Sequence, residues 1–226
     1  MLRYYLQVYG CQMNQNEAGL VRALMDGAGH VETADEAAAD AWLMLTCTVR
    51  SHAEARALGR LGSFRARRGR GQGRVVAVLG CMAEVAGRAL ADEHGADIVL
   101  GPDRYRLLPG AIEETLATGR PVVAAGAAGE CYEGILPRTA PGASPVRGSV
   151  TVMRGCDNWC SYCVVPIARG RERSRPLVQV LEEARALAGE GVRDLTLLGQ
   201  NVLAWREGDR DFVGLLEAVA KLPGLL

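Results

Sequence analysis

The sequence predicts an α/β protein, with a doubly wound parallel sheet domain followed by the first part of a parallel (β/α) barrel. Three observations carry this expectation. Short apolar runs rich in β-branched and aromatic residues recur, each followed by a stretch of helical periodicity. Across residues 119–148 the alternation stops, in a stretch holding four prolines and six glycines. Beyond it the strand–helix alternation resumes.

Taken in order, the first strand ends at Tyr9-Gly10 and leads to a helix over 16–25. Strands over 41–46 and 75–80 lead to helices over 51–64 and 83–93. A fourth strand, 97–100, stops at Gly101-Pro102 before a helix over 104–116. These elements form a predicted domain over 1–118, with 119–148 as a connector packed over the surface. The second domain, 149–226, reads as strand 149–153, helix 177–189, strand 194–198 and helix 212–221. Two strand–helix units with right-handed crossovers open a parallel barrel. Left alone they expose an apolar strand edge, so the chain reads as the front of a longer protein.

With 226 residues, 49% of them hydrophobic and only 23% charged, the chain can bury sizeable cores. Its formal net charge is zero, so no global field points to a nucleic-acid partner. The N-terminus runs straight into a strand without a signal sequence, and no apolar run approaches a membrane span. Seven cysteines are too few for a disulfide scaffold at this length. The expected setting is cytoplasmic, with no membrane partner.

The cysteines fall into a pattern. Cys156, Cys160 and Cys163 lie within eight residues, and Tyr162 adds an aromatic face beside them. A [4Fe–4S] cluster is normally held by four thiolates, so three would leave one iron open for a substrate or cofactor. A structural zinc loop is the competing reading, but tetrahedral zinc wants a fourth nearby ligand and no histidine follows Cys163. Cys11, Cys47 and Cys81 each follow a predicted strand and precede a predicted helix. All three thiols are thereby expected at the carboxyl rim of one sheet, where open α/β sheets build their sites. They could hold a second cluster there; three buried, inert thiols are the alternative. Cys131 follows no strand and reads as incidental.

The spacing Cys156-x3-Cys160-x2-Cys163, with an aromatic before the third cysteine, resembles the signature loop of the radical S-adenosylmethionine (SAM) enzymes. With both cysteine sets, the whole chain resembles the radical SAM methylthiotransferases. It is most similar to the branch that makes 2-methylthio-N6-dimethylallyladenosine in tRNA. The segments that carry this are Tyr9-Gly-Cys-Gln-Met-Asn, Thr46-Cys-Thr-Val-Arg, Gly80-Cys-Met-Ala, Gly101-Pro-Asp-Arg-Tyr, Cys163-Val-Val-Pro, Arg169-Gly-Arg-Glu-Arg-Ser-Arg and Leu198-Gly-Gln-Asn-Val. The resemblance implies a second domain that is the start of a radical SAM partial barrel, and two [4Fe–4S] clusters. Cys156, Cys160 and Cys163 would hold the cluster that binds and cleaves SAM. Cys11, Cys47 and Cys81 would hold an auxiliary cluster carrying sulfur. Tyr162 would lie near the SAM adenine, and Gly199 and Gln200 near its methionine end. The implied activity inserts sulfur at C2 of an N6-isopentenyladenosine beside the anticodon and then methylates it. Implied partners are a tRNA anticodon stem-loop and an electron donor such as flavodoxin or ferredoxin, with the protein a monomer. Members normally continue through the rest of the barrel into an RNA-binding domain, which is missing here.

Other readings stay open on sequence alone. A sister methylthiotransferase would act on threonylcarbamoyladenosine in tRNA or on a ribosomal-protein aspartate. A non-catalytic iron–sulfur or zinc protein would keep the cysteines for structure or electron transfer. Arg65, Arg67, Arg68, Arg70 and Arg74 are expected at the sheet end opposite the cysteines, as a solvated helix end and loop. Arg169, Arg171, Arg173 and Arg175 form an alternating strip suited to phosphate or carboxylate, or else a salt-bridged loop. Trp159, inside the cysteine loop, is a candidate shield against solvent; Trp42 and Trp205 read as packing residues.

Overall fold

The computed structural model describes residues 1–49, 51–68, 74–140 and 146–226. Arg50, Arg70, the glycine run 69–73 and residues 141–145 of the expected connector lie outside the described residues.

The first unit comprises β1 (Arg3–Val8), α1 (Gln12–Gly27), β2 (Val31–Glu32), β3 (Ala41–Thr46) and α2 (Ser51–Arg68). It continues with β4 (Val75–Gly80), α3 (Cys81–Ala86), α4 (Ala89–Asp92), β5 (Ile98–Leu100), α5 (Leu108–Thr118) and β6 (Val122–Ala124). Its six strands pair in parallel, in the order β2-β1-β3-β4-β5-β6. The chain leaves β1 toward one edge and returns through β3 toward the other, so the β1–β3 boundary is the topological switch point.

Side-chain alternation makes the sheet doubly wound. Leu43 and Leu45 of β3 join Ala77 and Leu79 of β4 in a core with Val21 of α1 and Ile112 of α5. Trp42, Met44, Val76 and Val78 face the other way, against Leu61 and Phe64 of α2 and Leu90 of α4. Trp42 stacks on Phe64 at 4.2 Å between ring centroids. Every residue of β3 and β4 is buried, and each buried Leu or Val contributes about 1.5–3 kcal/mol. These two strands anchor the unit.

Two strands escape the expected pattern. β2 has only two residues, too few for any periodicity. β6 falls inside the expected connector and pairs with β5, so the sheet runs past residue 118. The helix expected over 83–93 is two pieces, α3 and α4, because Gly87 takes a left-handed φ of +50° between them.

The second unit begins at β7 (Arg147–Thr151) and continues with β8 (Met153–Arg154), α6 (Val165–Arg169), β9 (Arg173–Ser174), α7 (Leu177–Gly189), β10 (Asp194–Leu198) and α8 (Phe212–Ala220). β7 and β10 are parallel, with α7 as their crossover. Val150, Val180, Ala184, Trp205 and Leu215 form their core. β7 ends two residues before the expected position, and the cysteine loop instead springs from the short antiparallel β8–β9 ladder. That ladder closes residues 155–172 into one loop, and Cys156 N–H donates to Gly170 O at 3.2 Å.

Helix α1 joins the units. Asn16 donates to Ser149 O at 2.8 Å and accepts from the Thr151 hydroxyl at 2.6 Å. One residue on, Glu17 accepts from Arg154 of β8 at 2.7 Å and from Arg169 at 2.5 and 3.0 Å. α3 also packs against α6. The two units thus share one buried polar seam.

Candidate metal centres

The first thiol trio sits at the carboxyl rim of three adjacent strands. Cys11 precedes α1, Cys47 follows β3, and Cys81 opens α3 directly after β4. Cys11 and Cys47 flank the switch point. Gly10 makes this approach possible: its φ is +142°, and a Cβ there would meet Cys47 Cβ at 2.6 Å. Asn14, fully buried, ties the two loops together by donating to Tyr9 O at 3.3 Å and Thr46 O at 2.8 Å.

The thiols feel one another. A hydrogen bond from Cys47 holds the Cys11 thiol below the usual thiol range. Burial opposes this, while the backbone N–H groups of Asn14 and Met13 and the Arg169 charge assist it. Cys47 is pushed up in turn, by that same bond and by burial. Burial also raises Cys81, against the Arg169 guanidinium, whose Nε donates to its sulfur at 3.2 Å.

The second trio is more open. Cys156 is buried, Cys163 half-buried and Cys160 exposed, and Cys163 N–H donates to Cys160 O at 2.9 Å. Tyr162 and Trp159 stand out from this loop, 90% and 73% exposed, so Trp159 shields little. Trp42 and Trp205 are fully buried packing residues, as expected. Gln200 accepts from Gly155 N–H at 2.7 Å, which steadies the start of the loop. Gly199 lies where a Cβ would press on the Met153 side chain, in close packing between β10 and β8. Cys131 lies apart, beside Gly129 and Glu130.

The alternating arginines are held internally. Arg169 is held by Glu17, Arg171 by Asp157, Arg173 by Asp103 and Arg175 by Glu183. Of the two readings of this strip, the structure shows ion pairing rather than four guanidiniums aimed at an outside anion: each has a carboxylate of the chain itself, none of them Glu172, and in two cases deep in the interior. Arg67 pairs with Glu36 along with Arg60, and Arg74 donates to Ala37 O, all at the end of the sheet away from the thiols.

Sequence reading missed Asn14, Asn16, Glu17 and Arg154. Glu17 was findable: it precedes Val21 by one turn on the apolar face of α1, where an unpaired charge would be costly.

Among the described residues no trio of His, Cys, Asp or Glu side chains grips a single metal ion. A [4Fe–4S] cluster takes its thiolates on different irons, and soft sulfur donors suit it. The three thiols at the carboxyl rim of β1, β3 and β4, with the Arg169 guanidinium beside Cys81, have the soft donor set that suits such a group.

Residues 3–101 match the family described as Uncharacterized protein family UPF0004, and residues 150–224 match the Radical SAM superfamily. Among curated relatives, the tRNA-2-methylthio-N(6)-dimethylallyladenosine synthase of Phocaeicola vulgatus is 40% identical over 226 residues, covering 97% of this chain and 49% of that protein. The synthase of the same name from Chlorobaculum tepidum is 41% identical over 221 residues, covering 96% and 49%. Among solved structures, the radical S-adenosylmethionine methyltransferase TsrM from Kitasatospora setae, with tryptophan and a SAM analogue bound, aligns with a TM-score of 0.58. It shares 14% identity, covering 88% of this chain and 48% of that one, which is a likeness of fold.

The fold and the matched segments define the class, a radical SAM domain preceded by a UPF0004 domain. The chain carries segments that match both families and resembles the tRNA-2-methylthio-N(6)-dimethylallyladenosine synthases over nearly all of its own length, and it spans about half the length of the curated relatives it matches. A radical SAM segment implies a [4Fe–4S] cluster and SAM. Among the described residues no helix is long and apolar enough to cross a membrane.

Proposed function

We propose that this chain carries the two-cluster front of a tRNA methylthiotransferase, which inserts sulfur at C2 of N6-isopentenyladenosine beside the anticodon and methylates it. The observation that carries this is the gathering of Cys11, Cys47 and Cys81 at the switch point, against an arginine only six residues beyond Cys163. Cys156, Cys160 and Cys163 would hold one [4Fe–4S] cluster, and Cys11, Cys47 and Cys81 a second. Domain boundaries follow the two units, with residues 119–148 between them apart from β6 and the first two residues of β7. A cluster with an open iron, held by Cys156, Cys160 and Cys163, would supply the electron for reductive cleavage of SAM. An aromatic C–H is beyond any side-chain base at neutral pH, so the cofactor must carry that chemistry.

The chain's own residues bind and orient. Exposed Tyr162 offers a face for the SAM adenine, and Gly199 and Gln200 stand at the end of β10 for its methionine end. Trp159 and Ile167 leave apolar surface beside the loop for a base taken out of its stack. A flavodoxin or ferredoxin would deliver electrons to the exposed Cys160 side.

Iron and acid-labile sulfide per chain test the reading after anaerobic reconstitution. About eight irons should fall to about four in Cys156→Ala/Cys160→Ala/Cys163→Ala, as two independent three-thiolate clusters require. About four irons in the parent, all lost in the variant, would sink the two-cluster reading. Nucleoside analysis of tRNA, with and without the gene in full, tests the substrate.

A further inference from the structure

Arg169 lies at the end of α6 in the second unit, yet its side chain crosses into the first. Nε donates to Cys81 Sγ at 3.2 Å, and the two Nη atoms take both Glu17 oxygens at 2.5 and 3.0 Å. Arg169 is 5% exposed and Glu17 fully buried. Arg154 brings a second guanidinium to Glu17 from β8, and the Tyr105 hydroxyl donates to the same carboxylate at 3.2 Å. The two Nη atoms thus fix the guanidinium on one carboxylate, which directs its Nε–H at one thiol of the first trio.

We propose that Arg169 is a positioning residue for the Cys11–Cys47–Cys81 cluster, setting its reduction potential through the N–H···S bond to Cys81. This rests on the two-cluster reading. A hydrogen bond to a cluster sulfur stabilises the more negative, reduced state and raises the potential. A buried cation strengthens the effect, because a dry surrounding screens little of its charge. The donor comes from the loop region that carries the other trio. The potential of the first cluster is thus set only when the two units are docked.

The test is a spectroscopic redox titration of the first cluster alone, on a Cys156→Ala/Cys160→Ala/Cys163→Ala parent. Arg169→Gln should shift the potential to more negative values. Arg169→Lys should restore part of it, since it keeps the charge and loses the fork. Glu17→Gln, which removes a negative neighbour and leaves the Nε donor, should shift it the other way. Arg173→Gln breaks an ion pair to Asp103 across the same seam without touching a thiol, and should leave the potential at the parent value. Opposite shifts for the Arg169 and Glu17 variants support the assignment even if one of them folds poorly, because lysine gives a milder third point. Iron retained with the parent potential in Arg169→Gln and Arg169→Lys overturns it, and so do equal shifts in all four variants. A parent that holds no iron overturns the two-cluster reading itself, and this inference with it.

Discussion

Glu17 shows how one side chain can carry an interface. Buried without exposure, it meets guanidiniums from Arg154 and Arg169, residues more than a hundred positions away. Burial opposes its ionisation, but Arg169 and then Arg154 outweigh that and hold its carboxyl below the usual carboxylate range. The folded value is depressed, so its stabilisation is complete above the ordinary Glu value of about 4.3. It is lost as pH falls through the lower folded value. Glu17→Gln should cost about 3–5 kcal/mol at neutral pH, the range for breaking a buried ion pair. Urea unfolding at several pH values checks this: the gap to the parent should narrow in acid, and a constant gap would assign Glu17 a packing role only. Before the structure, Asn14 did not stand out, and the partners of Glu17 were not legible even though its place on the apolar face of α1 was, because tertiary contacts set those partners and spacing does not encode them. The six cysteines were legible, since each follows an apolar run whose end the sheet itself defines.

At the scale of elements, α1 has two tasks along one rod. Its start bears Cys11, and its next turn bears Asn16 and Glu17, which grip β7 and the loop from β8. The turn into it depends on Gly10. Gly10→Ala meets both an unfavourable φ and the Cys47 Cβ, a strain of the order of 1–3 kcal/mol. Reconstituted iron should fall by about half in that variant through loss of the first trio's site, with SAM binding at the second trio kept. Equal loss from both trios would mean that the turn supports the whole fold. Long, strongly periodic elements such as α2, α7, β3 and β4 were readable from sequence. The two-residue strands β2, β8 and β9 were not, because no period can show in two residues. β6 was hidden among prolines and glycines, and it forms because β5 offers an open edge.

For the whole molecule, the polar seam predicts that the two units unfold together. Each holds one fully buried tryptophan, Trp42 in the first and Trp205 in the second. Fluorescence of Trp42→Phe and Trp205→Phe chains, each also carrying Trp159→Phe, would follow one unit at a time. Their urea midpoints, each compared with its own calorimetric transition, should coincide. In an Arg154→Gln background the second unit should separate from the first; coincidence there would show that the seam does not couple them. The fold class and the two-unit order were legible throughout. The docking was not, because an interface between units has no periodicity of its own.

The seam also bears on how the chain matures at the ribosome. Domains fold in order as they emerge, the N-terminal one first. The first unit can assemble its sheet as soon as β6 is made, but Arg154 and Arg169 are then still unsynthesised or hidden in the exit tunnel. Until they arrive, the Tyr105 hydroxyl is the partner that the described residues of the first unit offer Glu17. Cys11 opens that same helix. The bond from Arg169 to Cys81 is thus the last of the first trio's contacts to become possible, since its donor is made 88 residues after the thiol it meets.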